Sequence, residues 1–182
     1  MSESEFTLLG DAVWLDFVNT AQSRVSSPPD LLPDVAAVGR WAGAQSLGGV
    51  EDNGSSLDEV LAFRGRLTAL AEALHSDAQP PAGSITAINE HLSRNGGSHQ
   101  LTRVSGEWLL RFAPDRPPTL LEAIAQSAAA ALADPLLFVR RCAGESCSFF
   151  FTDNSPNQGR RWCNPAVCGR RVKLERRRGL LR

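Results

Sequence analysis

The run from Arg140 to Arg182, RRCAGESCSFFFTDNSPNQGRRWCNPAVCGRRVKLERRRGLLR, holds every cysteine of the chain. Cys142, Cys147, Cys163 and Cys168 fall in the pattern C-x4-C-x15-C-x4-C. Two close pairs separated by a loop suit a tetrahedral ion, because each pair wraps one edge while the loop closes over it. Thiolate is a soft ligand, and four of them point to Zn2+. One such ion would be structural, since four thiolates leave no open coordination position. Disulfide pairing is the competing reading of the same residues. Against it, the start MSESEFTLLGDAVW lacks a basic end followed by a long apolar run, so no secretory signal is recognised. A reducing cytoplasmic setting is expected, and there the thiols stay free for metal.

The residues between the cysteines suggest how the ion is held. LLFVRRC, leading into Cys142, suits a strand and SFFFTD after Cys147 suits an antiparallel partner, which puts Cys142 and Cys147 around a turn containing Gly144. Asn164 offers an N-cap with Pro165 at the first helical position, opening a helix through about Arg178 with Cys168 in its first turns. A strand pair plus a helix clasping one ion resembles a treble-clef finger. Asp153, Ser155 and Asn157 are expected to shape the intervening loop through bonds to nearby backbone. Trp162, beside Cys163, reads as part of a small core around the metal, with stacking on a base as the alternative.

Charge is segregated along the chain. From residue 135 onward 11 Lys and Arg face 3 acids, whereas residues 1 to 134 carry 8 basic against 17 acidic groups. This asymmetry points to a basic module for a polyanion joined to an acidic body. Arg170, Arg171, Lys173, Arg176, Arg177 and Arg178 project from the terminal helix over more than one face, and Arg160 and Arg161 precede Trp162. The arginine fork suits a phosphate or the edge of guanine, so these eight residues are the candidate DNA contacts. The bland reading is that several merely complement the helix end and keep the tail soluble. No stretch approaches the ~18 apolar residues that a membrane span requires, so no membrane partner is expected.

Upstream, Trp14, Phe17, Val18 and Ala21 recur at near-helical spacing, and SRVSSPPD after them reads as a connector. Leu31, Val35, Val38 and Ala42 predict a helix over 33–46. Ser56 is a candidate N-cap with Glu59 as its reciprocal partner. The clearest helix follows, with Val60, Phe63, Leu67, Leu70 and Leu74 in steps of three and four. Ser84 is expected to cap a shorter helix carrying Ile85, Ile88 and Leu92. Runs 99–104 and 107–112 flank Ser105-Gly106 and predict a β-hairpin. A lone hairpin is marginal in water, so it is expected to pack on the helices. An alanine-rich helix over 119–134 ends at Pro135. The fold class is α+β: a mostly helical N-terminal domain with a β-hairpin over 1–134, and a small treble-clef-like zinc finger over 135–182.

With these residues in view, the run from Arg141 to Lys173 resembles the CGNR zinc finger. The likeness rests on Cys142-x4-Cys147, Phe151-x-Asp153-x-Ser155-x-Asn157, Arg161-Trp162-Cys163 and Cys168-Gly169-x-Arg171-x-Lys173. The N-terminal part resembles the ABATE domain through Leu15-Asp16-Phe17-Val18-Asn19-Thr20, Arg64 on the long helix and Asn89. The family's Cys-Gly-Asn-Arg stands here as Cys168-Gly169-Arg170-Arg171, which keeps all four sulfurs but replaces an amide by a guanidinium. The resemblance implies a transcription regulator that binds DNA through the zinc module and senses a small molecule through its N-terminal domain. By position, Asn19, Arg64 and Asn89 would line the effector pocket; buried structural hydrogen bonding is the alternative for them.

Two other classes remain beside the regulator. In one, the basic tail docks on an acidic partner or on the body's own acidic surface. In the other the protein is an enzyme, for which the sequence offers little: it contains no H-E-x-x-H and no nucleophile elbow, and His75, His91 and His99 are scattered without a paired acid or nucleophile. A single finger reads few base pairs, which leaves room for a homodimer, though no motif specifies one.

Overall fold

A computed structural model of the protein describes residues 6–21, 30–45, 47 and 54–177. Its longest element, helix α3 (Leu57–His75), shows why the body is helical. Val60, Phe63, Leu67 and Leu70 are buried along one stripe, with Ala71 beside them. Ser56 accepts the Glu59 N–H at 3.2 Å as the N-cap. The Glu59 carboxylate pairs with Arg94 at 2.6 Å.

Helix α1 (Val13–Asn19) is short, and six of its seven residues, Trp14 to Asn19, are buried. It is a central post rather than an amphipathic surface helix, touching α3, α5 and a strand of the C-terminal module. Helix α2 (Val35–Ala44) adds Ala37, Val38 and Trp41 to the core, opened by Asp34 accepting the Ala37 N–H. Helix α5 (Leu120–Ala133) adds Leu121, Ile124, Ala125 and Ala128. Its start is a capping box in which Thr119 and Glu122 satisfy each other's backbone N–H. Each fully buried large apolar side chain here contributes about 1.5–3 kcal/mol through removal from water, so this shared core dominates the stability of the body.

Two expectations need correction. Helix α4 (Ala82–Leu92) starts two residues before Ser84, with Pro81 at the N-cap and no side-chain cap. The Ser84 hydroxyl instead donates to the Arg66 carbonyl at 2.7 Å, stapling α4 to α3. The second concerns the hairpin of β1 (Gly97–Val104) and β2 (Glu107–Pro114), which forms in the expected register around Ser105-Gly106. Both turn residues have positive φ, 52° and 91°, as a two-residue hairpin turn of right-handed twist demands. Yet the strands pack on each other and make no broad contact with a helix. Leu101, Trp108, Leu110 and Phe112 remain more than half exposed. Only the base of the hairpin is tied down: Asp115 N–H reaches the Gly96 carbonyl at 2.9 Å, and Arg116 grips buried Glu122 with two bonds of 2.7 and 2.9 Å. That guanidinium holds the Glu122 carboxyl below its ordinary value.

The C-terminal module comprises the antiparallel pair β3 (Val139–Arg141) and β4 (Phe150–Thr152), a π turn over Pro165–Gly169, and helix α6 (Arg170–Arg177). Successive residues of a strand point to opposite faces, and β4 uses both. Phe150 belongs to the apolar core of the body, whereas Phe149 and Phe151 pack with the four cysteines. Strand β4 is thus a wall shared by two cores. Asn19 fixes it from the body side: its amide donates to the Phe150 carbonyl at 2.8 Å and its oxygen accepts the Phe150 N–H at 2.8 Å. A side chain at the end of α1 therefore supplies the pairing that a neighbouring strand would have supplied. Among the described residues, no helix is long and apolar enough to cross a membrane.

Candidate metal centre

The first ligand pair sits at the open end of the β3–β4 hairpin. Cys142 extends the ladder by donating its N–H to the Phe149 carbonyl at 2.8 Å, and Cys147 closes a turn by donating to Gly144 at 2.9 Å. The second pair is delivered by the loop and the π turn. Asn164 accepts the N–H groups of Ala166 and Val167 at 2.9 and 3.2 Å, and Pro165 follows it at the first position, as expected. The π turn sets Cys168 inward, two residues before α6 begins. Gly169 packs tightly there, since a Cβ at this position would stand 3.2 Å from the Trp162 ring.

All four sulfurs lie within 4.8 Å of one another, and the Cys147–Cys163 and Cys163–Cys168 separations are both 3.7 Å. A tetrahedron with zinc–sulfur bonds of about 2.3 Å has edges of about 3.8 Å, so the cluster has the size the ion needs. No two sulfurs are bonded, since all four cysteines are free. They are also buried, each less than a tenth exposed. Crowding splits their acidities. Bonds from the Cys147 and Cys163 thiols, with the Cys163 N–H at 3.5 Å, bring Cys142 down to about 2. Sharing those protons pushes Cys147 up to about 11 and Cys163 upward as well. A divalent cation supplies the positive charge that lets the remaining thiols ionise, releasing protons as it binds. The donor set and its size fit one structural zinc.

Around the sulfurs runs a polar scaffold centred on Asp153, whose side chain is fully buried. It accepts from Ser155 N–H and Oγ at 3.0 and 2.6 Å, Arg160 N–H at 3.0 Å and Arg140 Nε at 2.9 Å. Burial alone would raise this carboxyl, but the donors of Ser155, Arg140 and Arg160 outweigh it and hold it low. Asn157, also expected to shape the loop, stays exposed.

The structure sorts the candidate DNA contacts by environment. Arg160 is a clamp: Nε donates to the Trp162 carbonyl at 3.0 Å, the other nitrogens reach Asp11 and the Cys163 carbonyl, and the guanidinium lies 4.4 Å from the Phe151 ring centre. Arg171 is half-buried and donates to Ser146 Oγ at 2.8 Å, bracing the first knuckle. Arg161 is exposed, with its guanidinium 5.4 Å from the Trp162 ring centre. Arg170, Lys173, Arg176 and Arg177 are exposed and have no ion-pair partner among the described residues. Arg170, Lys173 and Arg177, spaced i, i+3, i+7, form one stripe opposite buried Val172. Arg178 lies outside the described residues.

Of the candidate effector residues, Asn19 and Arg64 are buried and Asn89 is exposed on α4. Asn19 spends its amide on β4 as described. Arg64 donates to Thr20 Oγ at 2.9 Å and holds Asp30 with both terminal nitrogens. Sequence reasoning did not single out Asp30, Asp11 or Arg140; each acts through a partner distant in the chain, and no local pattern signals it.

Taken together, the fold and the tetrathiolate site define a zinc-finger protein whose finger is built onto a helical body. Residues 139–179 match the CGNR zinc finger, and residues 11–135 match ABATE, a family described as "Putative stress-induced transcription regulator". The chain belongs to the ABATE family and carries a CGNR zinc finger at its C-terminal end. Both matches are regulatory or zinc-finger types rather than enzyme families. No curated protein matches the chain.

Proposed function

We propose that the protein is a transcription regulator that grips duplex DNA with the solvent face of helix α6. The observation that carries this reading is the stripe Arg170, Lys173 and Arg177, flanked by Arg176 and Arg161. These cations are exposed and unengaged by any acid among the described residues, and the helix that bears all but Arg161 follows directly on the π turn that holds Cys168. Arg160 and Arg171 act as braces in this reading, because their guanidinium groups are committed within the finger. Arg170 replaces a short amide by a long cation at the head of the stripe, adding reach toward a phosphate.

Sensing by the body would operate at Arg64. An anionic effector that displaced half-exposed Asp30 from that guanidinium would act beside Thr20. The next residue, Asn19, holds the finger's β4, so a small molecule there has a short physical route to the finger.

The test is duplex DNA binding by the zinc-loaded chain, followed by fluorescence anisotropy across a salt series. Each phosphate contact contributes about −0.9 to the slope of log K against log salt, so Arg170→Ala or Lys173→Ala is expected to lower the slope by about 1. Unchanged binding in both variants removes the assignment. A second reading, docking of α6 on an acidic protein partner, is favoured by Val167 and Leu174, 41% and 42% exposed among the cations. Leu174→Ala separates the two, since it weakens a protein contact and leaves the salt slope on DNA intact.

A further inference from the structure

The β1–β2 hairpin presents one face that the described residues leave largely uncovered. Register places His99 opposite Phe112, Leu101 opposite Leu110 and Arg103 opposite Trp108, all on the same side. Four of these six are large apolar residues with exposures of 62% for Leu101, 63% for Trp108, 68% for Leu110 and 53% for Phe112. The opposite face carries Gln100, Thr102, Glu107 and Arg111 with Val104, Leu109 and Ala113 among them, and is the more polar of the two. A two-stranded sheet with a bare apolar face is unstable in water without a further layer, and single-chain proteins rarely expose so much contiguous apolar surface. The Arg116–Glu122 grip just beyond β2 nonetheless ties the base of the hairpin to α5.

We propose that a second copy of the chain covers this face, across a two-fold axis through the Leu101–Leu110 pair. The face suits its own copy because it is arranged symmetrically about that pair, with an aromatic on either side. Antiparallel stacking sets Phe112 and His99 of one protomer against Trp108 and Arg103 of its partner. The guanidinium of Arg103, already 5.8 Å from its own Trp108 ring centre, then meets a second aromatic face. The two copies of Arg103 each lie two residues from the axis, about 14 Å apart at ~3.4 Å per residue, so they barely repel at physiological salt. The four apolar side chains leave on the order of 500 Å2 uncovered per protomer. Two such faces together remove about 1,000 Å2 from water, the lower bound of a specific interface. Nucleic acid fits poorly, since the face carries one full cation where phosphates require several.

Sedimentation equilibrium of the full zinc-loaded chain over roughly 1–100 µM, the weak end of the affinity range for interfaces of this kind, is the test. A reversible dimer is expected. Leu110→Glu sets two carboxylates against each other near the axis and should weaken it at least about 100-fold. Gln100→Glu, on the opposite face, should leave it unchanged. Leu101→Cys should yield a covalent dimer with a bis-maleimide whose reach is about 10 Å, the spacing of two facing sheets, with zinc protecting the other four thiols, and this result decides the matter if Leu110→Glu disturbs the fold. A monomer throughout the range, a dimer that survives Leu110→Glu, or failure of Leu101→Cys to cross-link overturns the proposal. None of these measurements involves DNA, so the interface and the DNA-binding reading stand or fall separately.

Discussion

The two hairpins of this protein reverse the usual relation between length and burial. β1–β2 pairs eight residues a side and is largely exposed. β3–β4 pairs three a side, and all three residues of β4 are buried. Strand length therefore does not determine how much a sheet contributes; what lies on its two faces does. The short pair is clasped by apolar body on one side and by the sulfur cluster on the other. Among the described residues, the long pair is covered on neither face by another element. The short hairpin should thus be integral to stability, while the long one should be dispensable to it.

The largest effect expected from that contrast is on removing zinc. Apparent binding free energy at structural zinc sites is about 10–16 kcal/mol, and β4 conveys its loss to the body through Phe150. Chelation should lower the melting temperature of the whole chain in one transition, monitored by circular dichroism; a body that melts unchanged while the finger is lost would break the idea of a shared wall. Acid should act in the same direction, because the thiols must shed protons to hold the ion.

Next in size is Phe150→Ala, expected to cost about 3–5 kcal/mol in denaturant unfolding. Leu110→Ala on the long hairpin, measured in the same way at concentrations too low for association, should stay within about 0.5 kcal/mol. Comparable losses at the two sites would erase the distinction. Asn19→Leu should follow at about 1–3 kcal/mol for each backbone group left unpaired, without loss of zinc under saturating metal. A stability equal to the parent would show that water replaces the amide and that Asn19 is no latch.

The smallest concerns Asp153. Its carboxyl is held below the ordinary value by Ser155, Arg140 and Arg160, so its contribution is complete above the unfolded pKa of about 3.9 and fades as pH falls through the folded value. Asp153→Asn should cost about 1–3 kcal/mol near neutrality, the exposure of Arg140 moderating the loss. The cost should shrink in acid, so the variant's stability should depend less steeply on pH below about 4. An unaltered acid limb in the pH profile would remove Asp153 as the hub.

Much of the metal centre was legible because its signals are local. Spacing, sulfur chemistry, the Asn164 cap and the Pro165 start all lie within a few residues of the atoms they position. The stripe of α3 and the Ser105-Gly106 turn were readable for the same reason. Ser84 misled, since a serine near a helix start looks like a cap until a neighbouring helix offers its hydroxyl a carbonyl. Arg160 and Arg170 are the same residue type in similarly basic surroundings, yet one is a brace and the other is free to meet a partner. The difference is made above all by Asp11, 149 positions away, which only folding brings to Arg160.

The sequence by itself determined the ligand set, the element types and the division of charge, because sulfur softness, side-chain periodicity and ionisation belong to residues and their near neighbours. Tertiary structure alone decided that β4 serves two cores, that Asn19 joins body to finger across 131 positions, and that the apolar side of β1–β2 has no cover among the described residues. Those outcomes depend on which surfaces meet. The free energy of burial is a property of that meeting and not of any single stretch of residues.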